Sequence, residues 1–405
     1  MAESGELIDH LFRHQAGRMV STLTRILGPR HLQLAEDVVQ EALIKALELW
    51  PHRGIPANPA AWLIEVARNR AIDALRRESS LAEKVGELAR LTEFAGSPGT
   101  EAMDDQLAMI FLCCHPDVPR EGRVALTLKT VCGFGTSEIA RAFLIPETTA
   151  AQRIVRAKRL VRDLCFALPE STELAARRES VLEVLYLMFN EGYTRHAADL
   201  AEEAVRLALL VADHDATAAP EADALLALFL LLSARGPARL DAHGDPFLLT
   251  DQDRGLWDRG RISEGLRRLD RAARGDRMSQ YHVEAGIAAA HATAPTFDST
   301  DWPFIVHLYD ELYALNASPV IALNRAVAIS RAEGPAAGLD ALAAIERHPS
   351  LARYHLLAAT QARLHEELGD IERAVEFYRL AWECAPEGAD RRFLEKQWLR
   401  CAPRQ

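Results

Sequence analysis

Hydrophobic residues recur every three or four positions along most of this chain, which is the spacing of amphipathic helices. The helix-favouring residues Ala, Leu, Arg and Glu dominate, and the alternating β-branched pattern that predicts strands is scarce. The pattern therefore predicts an all-α protein.

Residues 34–50 give the clearest helical stripe, and their polar face carries Asp37, Gln40 and Glu41. Three prolines between positions 51 and 59 predict that the helix stops and that residues 51–58 form a loop. A second amphipathic helix is predicted over residues 60–77. Residues 78–100 are polar and predict a linker.

Residues 136–164 predict a helix-turn-helix, with a short turn at 144–146 and a second helix led by Pro146. Ile154, Ala157, Val161 and Leu164 give that helix its inward stripe. Its outward side chains are Thr149, Gln152, Arg153 and Arg156, flanked by Lys158 and Arg159. Arg and Gln pair with guanine and adenine edges in the major groove, and flanking cations hold phosphates. The pattern is therefore typical of a DNA-reading helix.

From about residue 170 the chain predicts a series of helices separated by Pro, Gly or Asp. The spacing of five residues in 358–386 is that of one tetratricopeptide hairpin: Gly369, Ala374, Tyr378, Ala381 and Pro386. Such units bury their apolar faces by stacking, which predicts a helical array with a concave side. The longest irregular stretch is 236–253, and loops of that length are usually functional or disordered.

Charge separates the two halves of the 405-residue chain, whose formal net charge is −11. Residues 120–163 hold nine basic and four acidic side chains, whereas residues 164–405 carry a net charge of −11. A basic helical segment beside an acidic array indicates a nucleic-acid-binding module followed by one that does not bind nucleic acid.

Several other classes of protein are disfavoured. The six cysteines form no Cys-x-x-Cys pair, so we expect neither a disulfide scaffold nor a zinc ribbon, and Cys113-Cys114-His115 predicts packed core. The start of the chain lacks an apolar signal core, and the longest apolar run, 224–232, is too short to span a membrane, so we expect a cytoplasmic protein without membrane insertion. Enzyme and nucleotide-binding motifs are missing, and we expect no catalytic activity, cofactor or metal.

Residues 34–50 and 58–77 together strongly resemble region 2 of bacterial extracytoplasmic-function sigma factors, and residues 136–163 resemble their region 4. The acidic extension resembles that of the subgroup with C-terminal tetratricopeptide-like repeats. The resemblance implies region 2 at 1–80, an acidic linker at 81–100, region 4 at 101–168 and a regulatory extension at 169–405.

The resemblance also implies a function, which is to direct RNA polymerase to promoters. Asp37, Gln40 and Glu41 would bind core polymerase, and loop 51–58 would receive a flipped base of the melted −10 element. The residues implied near that DNA are Asn58, Arg68, Asn69, Arg76 and Arg77. Those implied at the −35 element are Thr149, Gln152, Arg153, Arg156 and Lys158. A regulatory protein or ligand would act at the extension.

Each of these interpretations has an alternative. The acidic face at residues 37–41 could be an ordinary solvated surface, Trp62 a core residue, and Arg76-Arg77 a favourable helix C-terminus. A helix-turn-helix regulator with a repeat-type interaction domain would explain residues 136–163 but would not need residues 34–77. A repeat-based adaptor that has lost DNA binding is the third possibility.

Overall fold

The computed structural model describes residues 2–77, 91 and 101–402, without the side chains of residues 2–14, 77, 101 and 102. The predicted linker at 81–100 therefore lies outside the described residues apart from residue 91. Across the described residues the chain forms eighteen α-helices and no strand, which confirms the all-α prediction. None of the helices in this part of the chain has the length and apolar character needed to cross a bilayer.

The chain divides into two compact units, Met1–Thr217 and Ala218–Gln405. The described helices of the first unit are α1 Ala2–Leu27, α2 Leu32–Arg53, α3 Pro59–Arg77, α4 Glu101–Cys113, α5 Arg120–Thr130, α6 Thr136–Ala142, α7 Glu147–Val161, α8 Ser171–Thr194 and α9 Ala198–Asp213.

Helices α1, α2 and α3 pack against one another and form the N-terminal part of the first unit. The buried stripe of α2 includes Ala35, Val38, Val39, Ala42 and Ala46, at the spacing that the sequence pattern predicts. Small Ala residues in this stripe let the neighbouring helices approach closely.

The prediction that α2 stops before Pro51 is wrong, because the helix continues to Arg53. A proline in the last helical turn, with its ring exposed, removes one hydrogen bond without blocking a later turn. The helix ends instead at Gly54, whose φ of +81° is accessible to glycine and whose N–H donates to the carbonyl of Trp50 at 3.0 Å. The loop is therefore shorter than predicted.

Helices α4–α7 form a second group of packed helices in the first unit, and α8 and α9 are built onto it. The Arg177 guanidinium on α8 donates to the carbonyl of Phe111 on α4 at 3.0 Å. Arg120 of α5 forms an ion pair with Glu183 of α8 at 2.8 Å. On α9, Arg206 donates to Gln106 at 3.0 Å. The compact unit thus extends past residue 168, where the sequence places the end of region 4.

The described helices of the second unit are α10 Pro220–Ser233, α11 Arg259–Ala272, α12 Gln280–Thr293, α13 Trp302–Leu315, α14 Pro319–Glu333, α15 Pro335–Ala343, α16 His355–Glu367, α17 Ile371–Cys384 and α18 Ala389–Cys401. Most of them pack on the next helix in the chain, as expected for an array of helical pairs. Helices α16 and α17 form the pair predicted at 358–386, with Ala374, Tyr378 and Ala381 buried. Its assignment to the tetratricopeptide class stays a prediction.

The long connection between α10 and α11 is tied to the end of the chain. Asp245 is 6% exposed, and its carboxylate accepts hydrogen bonds from Arg392 at 2.9 Å and Lys396 at 2.5 Å, both on α18. These donors, with Lys396 the stronger influence, hold the pKa of Asp245 below its ordinary value. The irregular segment is thereby fixed within the second unit.

Candidate nucleic-acid interface

The acidic face predicted on α2 is open to solvent. The side chains of Asp37, Gln40 and Glu41 are all exposed. Neighbours orient two of them: Gln33 Nε2 donates to Asp37 Oδ1 at 2.8 Å, and Arg70 of α3 lies 3.4 Å from Glu41. The three residues form an accessible polar strip on one helix.

The residues predicted near melted DNA lie at the start of α3 and along it. Asn58 Oδ1 accepts a hydrogen bond from the backbone N–H of Ala61 at 3.1 Å, so the exposed Asn58 also caps α3. Asn69 and Arg76 are exposed and Arg68 is half-buried. The side chain of Arg77 lies outside the described side chains.

Trp62 is half-buried and lies against Trp50, with the ring centroids 5.6 Å apart. Such tilted aromatic pairs favour a fixed ring position. This contact supports the core interpretation of Trp62 over a role in base stacking.

The helix-turn-helix forms as the sequence predicts. Glu138 accepts a hydrogen bond from the N–H of Gly135 at 2.7 Å and fixes the start of α6. The turn passes through Leu144, whose φ of +47° makes it tight, and α7 begins after Pro146. The inward stripe of α7 is buried and consists of Ala150, Ile154, Ala157 and Val161.

The residues of α7 that were predicted to contact DNA differ in exposure and fall into two groups. Gln152 and Arg156 are exposed, on the side away from the buried stripe. Thr149 and Arg153 are half-buried. Arg153 lines a pocket of about 200 Å³ that also includes Leu187 of α8, so its aliphatic stem packs beside the extension.

Lys158 faces another helix instead of solvent. Its Nζ donates to Glu36 at 2.6 Å and to Gln33 at 2.7 Å, and its side chain is 15% exposed. Both acceptors lie on α2, next to the polar strip formed by Asp37, Gln40 and Glu41. In this arrangement Lys158 joins α7 to α2 rather than standing free for a phosphate.

Two further contacts join the same parts of the first unit. Arg25 of α1 pairs with the buried Asp105 of α4 at 2.7 Å. Gly17 of α1 passes so close to the end of α5 that an ideal Cβ would lie 1.9 Å from the carbonyl oxygen of Val131, which only a glycine permits. The N-terminal helices and the helix-turn-helix are therefore closely packed in this conformation.

Sequence reasoning missed two exposed residues on the face of α7. Val155 is 47% exposed, and Arg162, which follows the last turn, is exposed as well. The same helical periodicity that identified Gln152 and Arg156 places Val155 beside them. Val155 is apolar, so it lies outside a pattern of polar side chains that contact DNA, and Arg162 follows the last turn of the helix.

The cysteines near residue 113 are core residues, as predicted. Cys113 Sγ lies 3.1 Å from Thr130 Oγ1, and both adjacent thiols are buried. Burial is the largest influence on the Cys114 thiol and raises its pKa to about 12, against a smaller opposing hydrogen bond from Thr127. No cluster of metal-ligating side chains occurs among the residues that the structure describes.

Family models match three stretches of the chain. Residues 11–81 match sigma-70 region 2, and residues 108–161 match sigma-70 region 4. Residues 177–273 match a family of unknown function, DUF6596. The first two matches fall on α1–α3 and on α4–α7, and the third continues across the boundary between the two compact units.

Curated relatives agree with these matches. An uncharacterized protein of Rhizobium meliloti (strain 1021) is 43% identical over 330 residues, which are 76% of this chain and 77% of the relative. The ECF RNA polymerase sigma factor SigL of Mycobacterium tuberculosis (strain H37Rv) is 35% identical over 136 residues, which are 32% of this chain and 72% of SigL. No solved structure matches the chain. With regions 2 and 4 both present and SigL covered over most of its length, the chain belongs to the extracytoplasmic-function sigma factors and is an RNA polymerase sigma factor for transcription initiation.

Proposed function

We propose that α7 reads the −35 element of promoter DNA and that Gln152 and Arg156 make its principal base contacts. The observation that carries this proposal is the exposure of these two side chains opposite the buried stripe of the second helix of a helix-turn-helix. Both side chains can form paired hydrogen bonds to base edges in the major groove. Thr149 and Arg153 lie at the edge of this face and contribute secondary contacts.

The N-terminal helices supply the other two interfaces. Asn58, Arg68, Asn69, Arg76 and Arg77 act on the −10 element, where an unstacked base is held by the loop and phosphates by the arginines. Asp37, Gln40 and Glu41 bind core polymerase, a role supported by their exposure on one face of α2. A protein that works through these interfaces would act in the cytoplasm, beside the polymerase.

Promoter binding requires that the first unit open. Elements near −10 and −35 lie about 25 base pairs apart, roughly 85 Å along B-DNA. Helices joined by the 2.6 Å contact between Lys158 and Glu36 cannot reach both elements at once. We expect this contact to break when the chain binds polymerase and promoter, which would release Lys158 for a phosphate.

The −35 proposal is tested by variants of the full chain on a promoter selected by the holoenzyme. Gln152→Ala and Arg156→Ala should each weaken binding roughly 10-fold or more and relax the preference at one base position, because each paired contact contributes about 1–3 kcal/mol. Arg379→Ala, on the exposed face of α17, is the matched control and should bind as the unmodified chain does. Unchanged affinity and base preference in both α7 variants would refute the assignment.

We propose further that the extension modulates sigma activity. Residues 164–405 carry a net charge of −11, of which residues 218–405, with 22 basic and 27 acidic side chains, hold −5. An acidic surface competes with DNA for a basic helix. A chain of residues 1–217 should therefore bind promoter DNA more tightly than the full chain at 50 mM salt, with a smaller difference at 300 mM, where charges are screened. Equal affinities at both salt concentrations would exclude electrostatic shielding.

A further inference from the structure

The second compact unit contains a cleft of about 900 Å³. Residues 246–251 form one wall, and helices α14, α16, α17 and α18 contribute others. This volume lies within the range of sites that hold small organic molecules, roughly 300–1,000 Å³.

The wall formed by residues 246–251 is held in place. The preceding residue, Asp245, is buried and bonded to Arg392 and Lys396 of α18. The segment is therefore tied across the array and shapes the cleft in the absence of a ligand. A pre-formed wall lowers the ordering cost of binding.

One part of the cleft is apolar and aromatic. Phe247, Leu248, Phe297, Trp302 and Phe393 line it. Phe247 is 44% exposed, and Trp302 is fixed by edge contacts with His291 and Phe297 at centroid distances of 5.3 and 5.2 Å. Such a surface favours an apolar body with a flat or flexible carbon skeleton.

The other part of the cleft contains two arginines that share one carboxylate. Arg331 and Arg363 both donate to the single carboxylate of Glu367, at 2.7 and 3.1 Å. Their side chains are only 19% and 30% exposed. Each guanidinium has five N–H donors, and Glu367 is the one acceptor among the described residues that pairs with either of them. Two cations with unused donors thus face one anion.

The other carboxylates of the cleft have partners of their own. Burial alone would raise the pKa of Glu367, but the hydrogen bonds from Arg331 and Arg363 outweigh it, and the pKa lies below its ordinary value. Glu366 is already paired with Arg400 at 2.7 Å and accepts from the Tyr378 hydroxyl at 2.9 Å.

Two further carboxylates line the cleft: Asp251 accepts from the Thr250 hydroxyl at 3.1 Å, and Asp390 lies 4.0 Å from His355. Among the described residues, Glu367 is thus the carboxylate that Arg331 and Arg363 share.

We infer that this cleft binds a small carboxylate with an apolar body, with the carboxylate on Arg331 and Arg363 and the body against Phe247 and Trp302. Planar guanidinium groups suit a carboxylate because they present two parallel donors. Binding at this site does not depend on promoter recognition, although a ligand here would be a chemical signal for the proposed regulatory extension.

The test is calorimetric titration of the full chain with 4-phenylbutyrate and decanoate, and with 4-phenylbutyramide as the uncharged match. We expect saturable binding of at least one of the two carboxylates and at least 10-fold weaker binding of the amide. Arg331→Gln and Arg363→Gln should each weaken carboxylate binding roughly 10-fold or more, since a charge-assisted contact is lost. Arg379→Gln, which alters an exposed ion pair with Glu383 on α17, should leave it unchanged.

Three outcomes would overturn the inference. The first is that neither carboxylate binds saturably below 10 mM. The second is that the amide binds as tightly as 4-phenylbutyrate to the unmodified chain, a comparison that stands even if an arginine variant fails to fold. The third is that only a peptide with a terminal carboxylate binds, which would assign the cleft to peptide recognition.

Discussion

At the scale of single residues, His291 shows how burial in the second unit changes the pKa of a side chain. Burial is the largest influence and lowers its pKa to about 4, with further lowering by the nearby Arg235 and Arg254 guanidinium groups. The ring lies against Trp302, and Arg254 donates to the His291 carbonyl at 2.7 Å. The folded chain therefore holds this imidazole neutral at pH values where an unfolded chain would protonate it.

The consequence is a loss of stability in weak acid. An unfolded His titrates near pH 6.5. As the pH falls from 6.5 toward 4, the unfolded chain takes up a proton at His291 that the folded chain does not, so the free energy of unfolding falls over this range and is unaffected by His291 above it. Between pH 7 and pH 5 the free energy of unfolding should fall by about 2 kcal/mol more in the unmodified chain than in His291→Gln. Urea unfolding at both pH values measures this difference.

His243→Gln, at an exposed position in the same unit, is the control and should follow the unmodified chain. An identical pH dependence in the unmodified chain and in His291→Gln would contradict the buried, neutral imidazole.

Local periodicity was sufficient to predict which residues of α7 are exposed at some positions and insufficient at others. Gln152 and Arg156 follow from the helical repeat alone, since residues four apart share one face of a helix. Lys158 was predicted on a phosphate, yet it lies on Glu36, 122 positions earlier in the chain. A contact over that separation depends on how two helices pack, and no pattern within either helix carries that information.

At the scale of elements, the sequence identified helices more reliably than their ends. The restart at residues 59–60 was predicted from the proline pattern, whereas α2 continued through Pro51 because the proline falls in its last turn. The limit of region 4 was also set from local pattern, at residue 168. Tertiary contacts made by α8 and α9 carry the compact unit to Thr217.

These contacts predict that residues 1–168 are an incomplete structural unit. A chain that ends at 168 lacks Val181, Leu185 and Phe189 of α8, all completely buried. It also leaves Arg120 of α5 without its partner Glu183. Because burying one such large side chain stabilises by about 1.5–3 kcal/mol, its free energy of unfolding should be lower than that of residues 1–217 by more than about 3 kcal/mol.

Urea unfolding of the two truncated chains, compared with the full chain, measures this difference in the free energy of unfolding. Residues 1–217 serve as the matched control because they keep α8 and α9 and remove only the second unit. Equal stability of the two truncated chains would show that α8 and α9 are dispensable for folding of region 4.

At the scale of the whole molecule, the chain joins two kinds of helical unit. The first carries sigma regions 2 and 4, and the second is a helical array that contains the cleft of about 900 Å³. Charge predicted a basic module followed by an acidic one, with the change near residue 163, whereas the compact units divide between residues 217 and 218. The cleft itself was not predicted, because its lining comes from segments about 150 residues apart in the chain.

The most direct measurement of the central claim is transcription in vitro by core RNA polymerase from the source bacterium, with the full chain added. The account predicts a transcript that begins at one defined position, requires the full chain, and is lost in a Gln152→Ala, Arg156→Ala double variant. Absence of any start-specific transcript with the full chain and with residues 1–217, on promoters selected from the same genome, would contradict it.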